Sequence, residues 1–153
     1  MRTAWRIVKR QFVATAFTGE GALLYGGRWN SPGVPVVYVA SSRALAILEM
    51  AVHLDRATLL SSFALIPCTF SERLMAAVDR RALPARWRQD PPPAELAVIG
   101  DRWIVQARSA VLAVPSAIVD DETNFLLNPA HPRFAEIRIG QSSDFAFDPR
   151  LIK

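Results

Sequence analysis

Helix-like and strand-like segments alternate irregularly along this chain, and prolines or glycines separate many of them. Runs rich in β-branched and aromatic residues predict strands, and SSRALAILEMAVHL, a breaker-free stretch behind a serine N-cap, predicts the clearest helix. Because no regular strand–helix–strand rhythm is present, the pattern favours α+β over a doubly wound sheet. The predicted strands are residues 4–12, 34–40, 62–70, 110–119, 136–140 and 144–148. The predicted helices are residues 41–54, 72–83 and 94–109. Loop or extended chain is predicted for residues 84–93 and 124–134.

The length and composition fit one globular domain that spans residues 1–153. Half of the residues are apolar and 21% are charged, which is typical of a folded domain and not of a disordered chain. No apolar run reaches the ~18 residues of a spanning helix, and the N-terminus lacks the apolar core of a signal peptide. Cys68, the single cysteine, is predicted to be a small buried hydrophobe. These features indicate a cytoplasmic protein.

The net charge of +4 raises the question of a polyanionic partner. The cations are spread over the whole chain and form no long basic block interleaved with aromatic residues. The pattern therefore favours a solvated surface with a site for a small anion over a groove for nucleic acid.

Glu49 is the one ionisable residue in the stretch ALAILEMAV. At about 100° per residue, it shares an apolar face of the predicted helix with Leu45, Leu48 and Val52. A carboxylate buried there needs a cation or a hydrogen-bonding ligand, because it otherwise loses its charge or costs several kcal/mol. Two interpretations are open: a structural ion pair, for example with Arg28, or a functional carboxylate.

The stretch YGGRWNSPG, residues 25–33, places an arginine and a tryptophan on a loop that two glycines make permissive. Arg28 presents a planar fork that matches a phosphate or a carboxylate. Trp29 and Tyr38 offer flat surfaces to an aromatic ring. The alternative is an ordinary turn followed by core aromatics. Neither a Walker loop nor a G-x-G-x-x-G fingerprint is present.

Ser116, in VPSAIV, places a hydroxyl at the end of an otherwise apolar strand. No G-x-S-x-G sequence surrounds it, so a hydrolase nucleophile is not supported. The two histidines, His53 and His131, have no ligand-spaced neighbours, and no metal site is expected. We assign His53 to a helix end and His131 to the NPAHP turns.

Taken together, these segments resemble the RES-domain family, which is named for an arginine, a glutamate and a serine. The matching segments are GEGALLYGGRWNSPGVPVVYVASS, ALAILEMAVHL, IGDRW, VLAVPSAIV, NFLLNPAHPRF and FDPRL, in the family's order and over nearly the whole chain. The first block is highly specific, whereas GDRW alone would carry little weight. The three eponymous positions map to Arg28, Glu49 and Ser116 without departure.

The resemblance implies a compact α+β domain similar to ADP-ribosyltransferases, with mixed or antiparallel sheets and flanking helices. It implies the toxin half of a bacterial toxin–antitoxin pair, which degrades NAD⁺ by hydrolysis or phosphorolysis and arrests growth. The alternatives are transfer of ADP-ribose to a protein, a basic toxin that acts on nucleic acid, and a catalytically silent interaction module.

The resemblance also implies partners. These are NAD⁺ as substrate, phosphate as an optional co-substrate, and an Xre-like helix-turn-helix antitoxin that covers the active site. No further cofactor, no membrane and no direct contact with nucleic acid except through the antitoxin are expected.

The roles implied for individual residues agree with their chemistry. Cleavage of the nicotinamide–ribose bond passes through an oxocarbenium-like state, which a carboxylate such as Glu49 stabilises. Arg28 would clamp the pyrophosphate, Tyr38 or Trp29 would stack on a ring, and Ser116 would hydrogen-bond the ribose or nicotinamide. The expected catalytic residues are Arg28, Tyr38, Glu49 and Ser116, and the expected NAD⁺-binding residues are Gly27, Arg28, Trp29, Asn30, Tyr38, Ser116 and Asn124.

Overall fold

A computed structural model describes residues 1–151, so the last two residues of the predicted domain lie outside the described part. The helices are α1 (Glu20–Tyr25), α2 (Arg43–Ala51), α3 (Arg56–Leu59) and α4 (Ala94–Gln106). The strands are β1 (Arg2–Lys9), β2 (Val37–Ala40), β3 (Phe63–Phe70), β4 (Met75–Ala77), β5 (Val111–Pro115), β6 (Thr123–Leu127), β7 (Arg138–Ile139) and β8 (Ser143–Phe145). No helix within residues 1–151 has the length and apolarity needed to cross a membrane.

The strands of the described chain form one eight-stranded mixed sheet. Its order is β4-β5-β6-β2-β1-β3-β7, and β8 also pairs with β3. All of these pairings are antiparallel except that of β4 with β5, which is parallel. Helices flank a mostly antiparallel sheet and do not connect successive parallel strands, so the predicted α+β class is confirmed.

The sheet is split where β2 meets β1. β1 pairs with β3 through eight register pairs, whereas Trp5–Ala40 is the one register pair described between β1 and β2. Arg6 bridges the gap: its Nε donates to Ala16 O (2.6 Å) and its Nη1 donates to Tyr38 O (3.0 Å). A side chain thereby satisfies the main chain of β2, and the two halves of the sheet separate around a cavity.

Helix α4 packs against the main chain of the glycine-rich loop. Gly100 lies so close to this loop that an added Cβ would overlap the Trp29 carbonyl oxygen. Asp101 Oδ1 accepts a hydrogen bond from Ser31 N–H (2.9 Å), and Trp103 packs with Trp29 in one buried cluster. The GDRW stretch therefore supports the loop, and Gly100, which looks like a weak point of the helix, is required for this contact.

The helix predicted over 72–83 is wrong. The chain instead forms a 3₁₀ turn at Glu72–Leu74, strand β4, and a second 3₁₀ turn at Arg80–Ala82. Ser71 and Asp79 cap the two turns through their side-chain oxygens, and such local bonds compete with a continuous helix. Because β4 pairs with β5 at the sheet edge, tertiary pairing outweighs the helical pattern of the sequence.

Other predictions hold with shifted ends. Ser42 is the N-cap of α2 and accepts a hydrogen bond from Leu45 N–H (3.0 Å), but the helix ends at Ala51 and not at residue 54. Pro67 lies in β3, which pairs on both sides and is not an edge strand. It occupies the interruption between the part that pairs with β8 and the part that pairs with β7, where a missing N–H is tolerated. Cys68 is buried, and burial raises the pKa of its thiol to about 12, which fits a core residue.

Gly100→Ala is expected to destabilise the protein although alanine is the better helix former. The added Cβ would force α4 away from the Trp29 carbonyl, and overpacking of this kind costs about 1–3 kcal/mol. The matched control is Gly21→Ala in α1, where nothing lies within 4 Å of an added Cβ and alanine should stabilise by up to about 1 kcal/mol. Urea unfolding measures both variants, and equal stabilities would contradict the packing described.

Candidate functional site

A cavity of about 780 Å³ opens at the split between β1 and β2. Its volume lies within the range of ligand pockets, about 300–1,000 Å³. One wall is the proline-rich segment 84–93, which we call the strap. The polar and charged side chains that line the cavity belong to Arg6, Arg28, Tyr38, Glu49, His53, Arg88, Asp90 and Asn124, and apolar lining comes from Trp5, Ile7, Ala40, Ala46, Met50 and Ile118.

Glu49 reaches this cavity from α2 and is fixed by two hydrogen bonds. Its Oε1 accepts from Ser116 Oγ (2.7 Å) and from Asn124 Nδ2 (2.5 Å), whereas its Oε2 has no hydrogen-bond partner within residues 1–151. One carboxylate oxygen is therefore held in place and the other is free for a ligand. A carboxylate in this state can stabilise a developing positive charge or accept a hydrogen bond from a hydroxyl.

The expected surroundings of Glu49 are only partly observed. Leu45 is 1% exposed, but Leu48 is 37% and Val52 is 60% exposed, so the face of α2 predicted to be apolar and buried is buried only in part. The described residues contain no ion pair between Glu49 and Arg28, which donates to main-chain carbonyls instead. The ion pair between Glu49 and Arg28 is thus not formed, and Glu49 is half-buried.

Ser116 positions Glu49 from behind. It follows β5, is 0% exposed, and does not line the cavity. Its Oγ accepts hydrogen bonds from the N–H groups of Ile118 and Val119 (both 3.1 Å), and its hydroxyl group donates its single hydrogen bond to Glu49 Oε1. This geometry fits a positioning role for Ser116, and the direct contact with ribose or nicotinamide that the family resemblance implies stays a prediction.

Arg28 lines another part of the cavity and is anchored to the strap. Its Nη1 donates to the carbonyl oxygens of Trp87 (2.8 Å) and Gln89 (2.9 Å), while its Nε and Nη2 have no acceptor within residues 1–151. Burial lowers the pKa of Arg28, and the negative charges of Asp90 and Glu49 partly offset this effect. Since an arginine stays protonated, the cavity contains a partly desolvated cation with two free donor nitrogens.

Tyr38 and Asn30 hold the glycine-rich loop in shape. The Tyr38 hydroxyl accepts from Trp29 N–H (3.1 Å) and donates to Asn30 Oδ1 (2.6 Å), and burial raises the pKa of Tyr38. Gly27 is needed because an added Cβ would lie 2.8 Å from the Tyr38 hydroxyl. Gly26 is needed because its φ is +72°. The loop that carries Arg28 is therefore preorganised.

Two residues expected to contact NAD⁺ lie mostly in the core. Trp29 and Asn30 are each 2% exposed. Trp29 packs with Trp103 in one buried cluster, so only a small part of it reaches the cavity wall. The Asn30 amide donates to the carbonyl oxygens of Ala22 in α1, Ser31 and Val34. Both side chains shape the loop, and their direct contacts with NAD⁺ stay predictions.

Arg6 and Arg88 are lining residues that sequence reasoning missed. Burial lowers the pKa of Arg6 to about 10, and no carboxylate is paired with it in the described chain. The sequence signal for Arg6 was a charged residue within the apolar strand AWRIV, as Glu49 is a charged residue within an apolar helix. Arg88 lies on the strap and donates from Nε to Ala117 O (3.1 Å); nothing in the local sequence distinguishes it from other surface arginines.

The arrangement combines three lining guanidinium groups, those of Arg6, Arg28 and Arg88, with the free oxygen of Glu49. Guanidinium groups bind phosphate oxygens in two-point contacts, whereas a carboxylate favours a hydroxyl or a positive charge. The cavity therefore suits a ligand with phosphates in one part and a group that becomes positive in another. No cluster of three or more metal-ligating side chains occurs in residues 1–151.

The chain is similar to known proteins over nearly its whole length. A family model described as RES domain matches residues 3–148. The chain is 42% identical over 148 residues to Toxin Res of Yersinia enterocolitica, which covers 96% of this chain and 97% of that protein. It is 39% identical over 154 residues to the Prs ADP-ribosylating toxin of a Sphingobium species, which covers 97% of this chain and 96% of that protein.

A solved structure shares the fold. The crystal structure of the M. tuberculosis MbcT–MbcA toxin–antitoxin complex contains a chain that matches with a TM-score of 0.77 at 20% identity, covering 98% of this chain and 86% of that one. The likeness shows that the two chains share a fold, which agrees with the compact α+β domain predicted from the sequence. Because the family model matches residues 3–148 and a relative is 42% identical over 96% of the chain, the chain belongs to the RES domain family.

Proposed function

We propose that this protein is the toxin of a toxin–antitoxin system and that it cleaves the nicotinamide–ribose bond of NAD⁺. The observation that carries the proposal is the free Oε2 of Glu49, on a side chain that lines the same cavity as Arg28. The names of the relatives support it, since one is Toxin Res and another is an ADP-ribosylating toxin.

The reaction needs a negative charge beside a ribose carbon. As the C1′–N bond breaks, its electron pair moves to the pyridinium nitrogen, nicotinamide leaves as a neutral molecule, and C1′ becomes oxocarbenium-like. Glu49 Oε2 would stabilise that carbon or hold the ribose hydroxyls. Water then adds to C1′ and loses a proton, or inorganic phosphate adds and gives ADP-ribose phosphate. Neither route calls for a further cofactor.

Arg28 is proposed to bind the pyrophosphate of NAD⁺. Two strap carbonyls occupy Nη1 and orient the guanidinium, and Nε and Nη2 then share one edge that fits two phosphate oxygens. Partial burial strengthens such a contact relative to the open surface. Tyr38 contributes by fixing the loop, and Gly27 lets the ligand approach the main chain.

Transfer of ADP-ribose to a protein is the second candidate, and the name of the Sphingobium relative favours it. Incubation of the purified protein with NAD⁺, with and without phosphate, followed by mass analysis, separates the routes. Hydrolysis gives ADP-ribose, phosphorolysis gives ADP-ribose phosphate, and transfer adds the mass of ADP-ribose to a protein. A toxin acting on nucleic acid would instead show steeply salt-dependent polynucleotide binding, and a silent module would form no product.

A cognate antitoxin is proposed to cover the cavity mouth beside Arg28. The structural neighbour comes from a toxin–antitoxin complex, and an enzyme that consumes NAD⁺ must be restrained in its own cell. Tyr25 is 83% and Val52 is 60% exposed; Val52 lines the cavity and Tyr25 precedes the lining residue Gly26. These side chains offer apolar surface to a partner. We expect an antitoxin with an Xre-like helix-turn-helix part, through which any contact with nucleic acid is made.

Glu49→Gln is expected to lower NAD⁺ turnover by about a hundred- to a thousandfold, because it removes the charge that opposes the developing cation. The glutamine carbonyl can still accept hydrogen bonds from Ser116 and Asn124, so the melting temperature should change little. NAD⁺ should still bind, since Arg28 is untouched. Turnover and melting temperature are measured on the same preparation.

The matched control for this change is Glu122→Gln, the same substitution at an exposed residue outside the cavity. It should keep wild-type turnover and wild-type melting. A Glu49→Gln protein that melts early yet keeps its specific activity while folded would assign Glu49 to the structure alone.

Arg28→Lys is expected to lower turnover by about 10- to 100-fold with the fold intact, a loss equivalent to one charged hydrogen bond. Lysine keeps the charge, but one ammonium group cannot hold the strap carbonyls and two phosphate oxygens together. Steady-state kinetics measure the effect against Arg133→Lys, a surface control whose arginine pairs with Glu136. Wild-type turnover in Arg28→Lys would remove Arg28 from the site.

The antitoxin is expected to abolish turnover in proportion to its occupancy of the toxin, because it would cover the cavity mouth. NAD⁺ consumption is followed while purified antitoxin is titrated into a fixed amount of toxin, and complex formation is measured in parallel. A saturated complex that consumed NAD⁺ at the rate of the free toxin would exclude occlusion as the mechanism.

A further inference from the structure

Trp5, Ala40 and Asn124 form a row across three neighbouring strands. Trp5 is in register with Ala40, and Ala40 is in register with Asn124, so the three side chains project from the same face of the sheet. All three residues line the cavity. The row also passes Glu49, which accepts a hydrogen bond from Asn124.

Trp5 gives this row an aromatic surface in a fixed position. The guanidinium carbon of Arg43 lies over the ring, 4.3 Å from its centroid, and a contact of this kind holds the indole in place. The surface that Trp5 offers the cavity is therefore the rest of the ring, beside the apolar lining residues Ile7 and Met50. Ala40 adds only a methyl group, which leaves space for a flat molecule between Trp5 and Asn124.

Asn124 gives the row an acceptor that lacks a donor. Within residues 1–151, its Oδ1 is the one buried side-chain nitrogen or oxygen without a hydrogen-bond partner. The orientation of the amide is determined, because only Nδ2 can donate to the Glu49 carboxylate. A buried acceptor without a donor costs free energy, so this atom indicates a ligand that supplies an N–H or O–H group.

We propose that the nicotinamide ring of NAD⁺ lies against Trp5, above Ala40, and donates its carboxamide N–H to Asn124 Oδ1. The inference rests on the proposed function. It places the leaving nicotinamide against Trp5, and not against Tyr38 or Trp29. Two strand spacings separate Trp5 from Asn124, roughly 10 Å, which is enough for one ring and its amide.

The chemistry of this pocket suits nicotinamide both before and after the bond to ribose is broken. A pyridinium cation is attracted to the face of an indole, and the neutral nicotinamide that leaves is suited to apolar walls. Glu49 Oε2 would then stand beside the ribose carbon from which the ring departs. The pocket also distinguishes nicotinamide from nicotinate, because a carboxylate has no N–H for Asn124 and would be repelled by Glu49.

The test uses free nicotinamide as the probe, so it needs no turnover. The chain has four tryptophans, and their indole N–H signals are resolved by NMR, with Trp5 identified by the signal missing from Trp5→Phe. Titration of wild-type protein with nicotinamide should shift the Trp5 signal most. Trp5→Leu should weaken nicotinamide binding by about tenfold, a typical loss for one stacking contact, and Trp5→Phe, which keeps a ring, should retain most of the affinity.

Phe12→Leu is the matched control. Phe12 is also aromatic, but it is 50% exposed and does not line the cavity, so nicotinamide binding should be unchanged. Nicotinate should bind wild-type protein at least about tenfold more weakly than nicotinamide, because it leaves Asn124 Oδ1 unpaired.

Three results would overturn the inference: no shift of the Trp5 signal, wild-type affinity in Trp5→Leu, or equal binding of nicotinate and nicotinamide. If Trp5→Leu does not fold, the wild-type titration and the nicotinate comparison decide. A protein that binds nicotinamide through Trp5 but never cleaves NAD⁺ would refute the proposed function alone. A protein that cleaves NAD⁺ but binds nicotinamide without Trp5 would refute this inference alone.

Discussion

The cavity exists because a guanidinium group stands where a β-ladder would otherwise continue. Between β1 and β2, Arg6 donates to the carbonyl oxygen of Tyr38, and a second bond to Ala16 anchors the same side chain. A buried main-chain carbonyl must be paired, and a long side chain can reach it across a gap that two strands cannot bridge. The hydrogen bonding is thus maintained while the halves of the sheet part, and Glu49 and Arg28 line the space between them.

Around this space, the reactive groups owe their positions to residues that lie behind them. Ser116 fixes one oxygen of Glu49 and is itself fixed by two main-chain N–H groups. Asn30 and Tyr38 hold the loop that carries Arg28, and α4 supports the same loop through Asp101. Each position is set by bonds already made before a ligand arrives, so little reorganisation is needed on binding.

Charged residues inside apolar segments were the most informative part of the sequence. Glu49 indicated the cavity because burying an unpaired charge is costly in any fold, and the same rule applied to the first strand would have found Arg6. The sequence could not show that the Ser116 hydroxyl donates to Glu49, nor decide between cavity and core for Trp29, because both depend on where β5 and α4 pack in three dimensions. The helix predicted at 72–83 failed for a related reason, since the partner of β4 lies more than thirty residues away.

The strap is attached to the rest of the protein by hydrogen bonds to main-chain oxygens, some of them its own and others outside it. Arg28 binds the carbonyls of Trp87 and Gln89, and Arg88 reaches from the strap to the carbonyls of Ala117 and Ile118. A carbonyl oxygen is the same in every residue type, so most strap side chains can be exchanged without loosening the wall. The outer surface of the strap can therefore tolerate changes of sequence while the wall beneath it keeps its position.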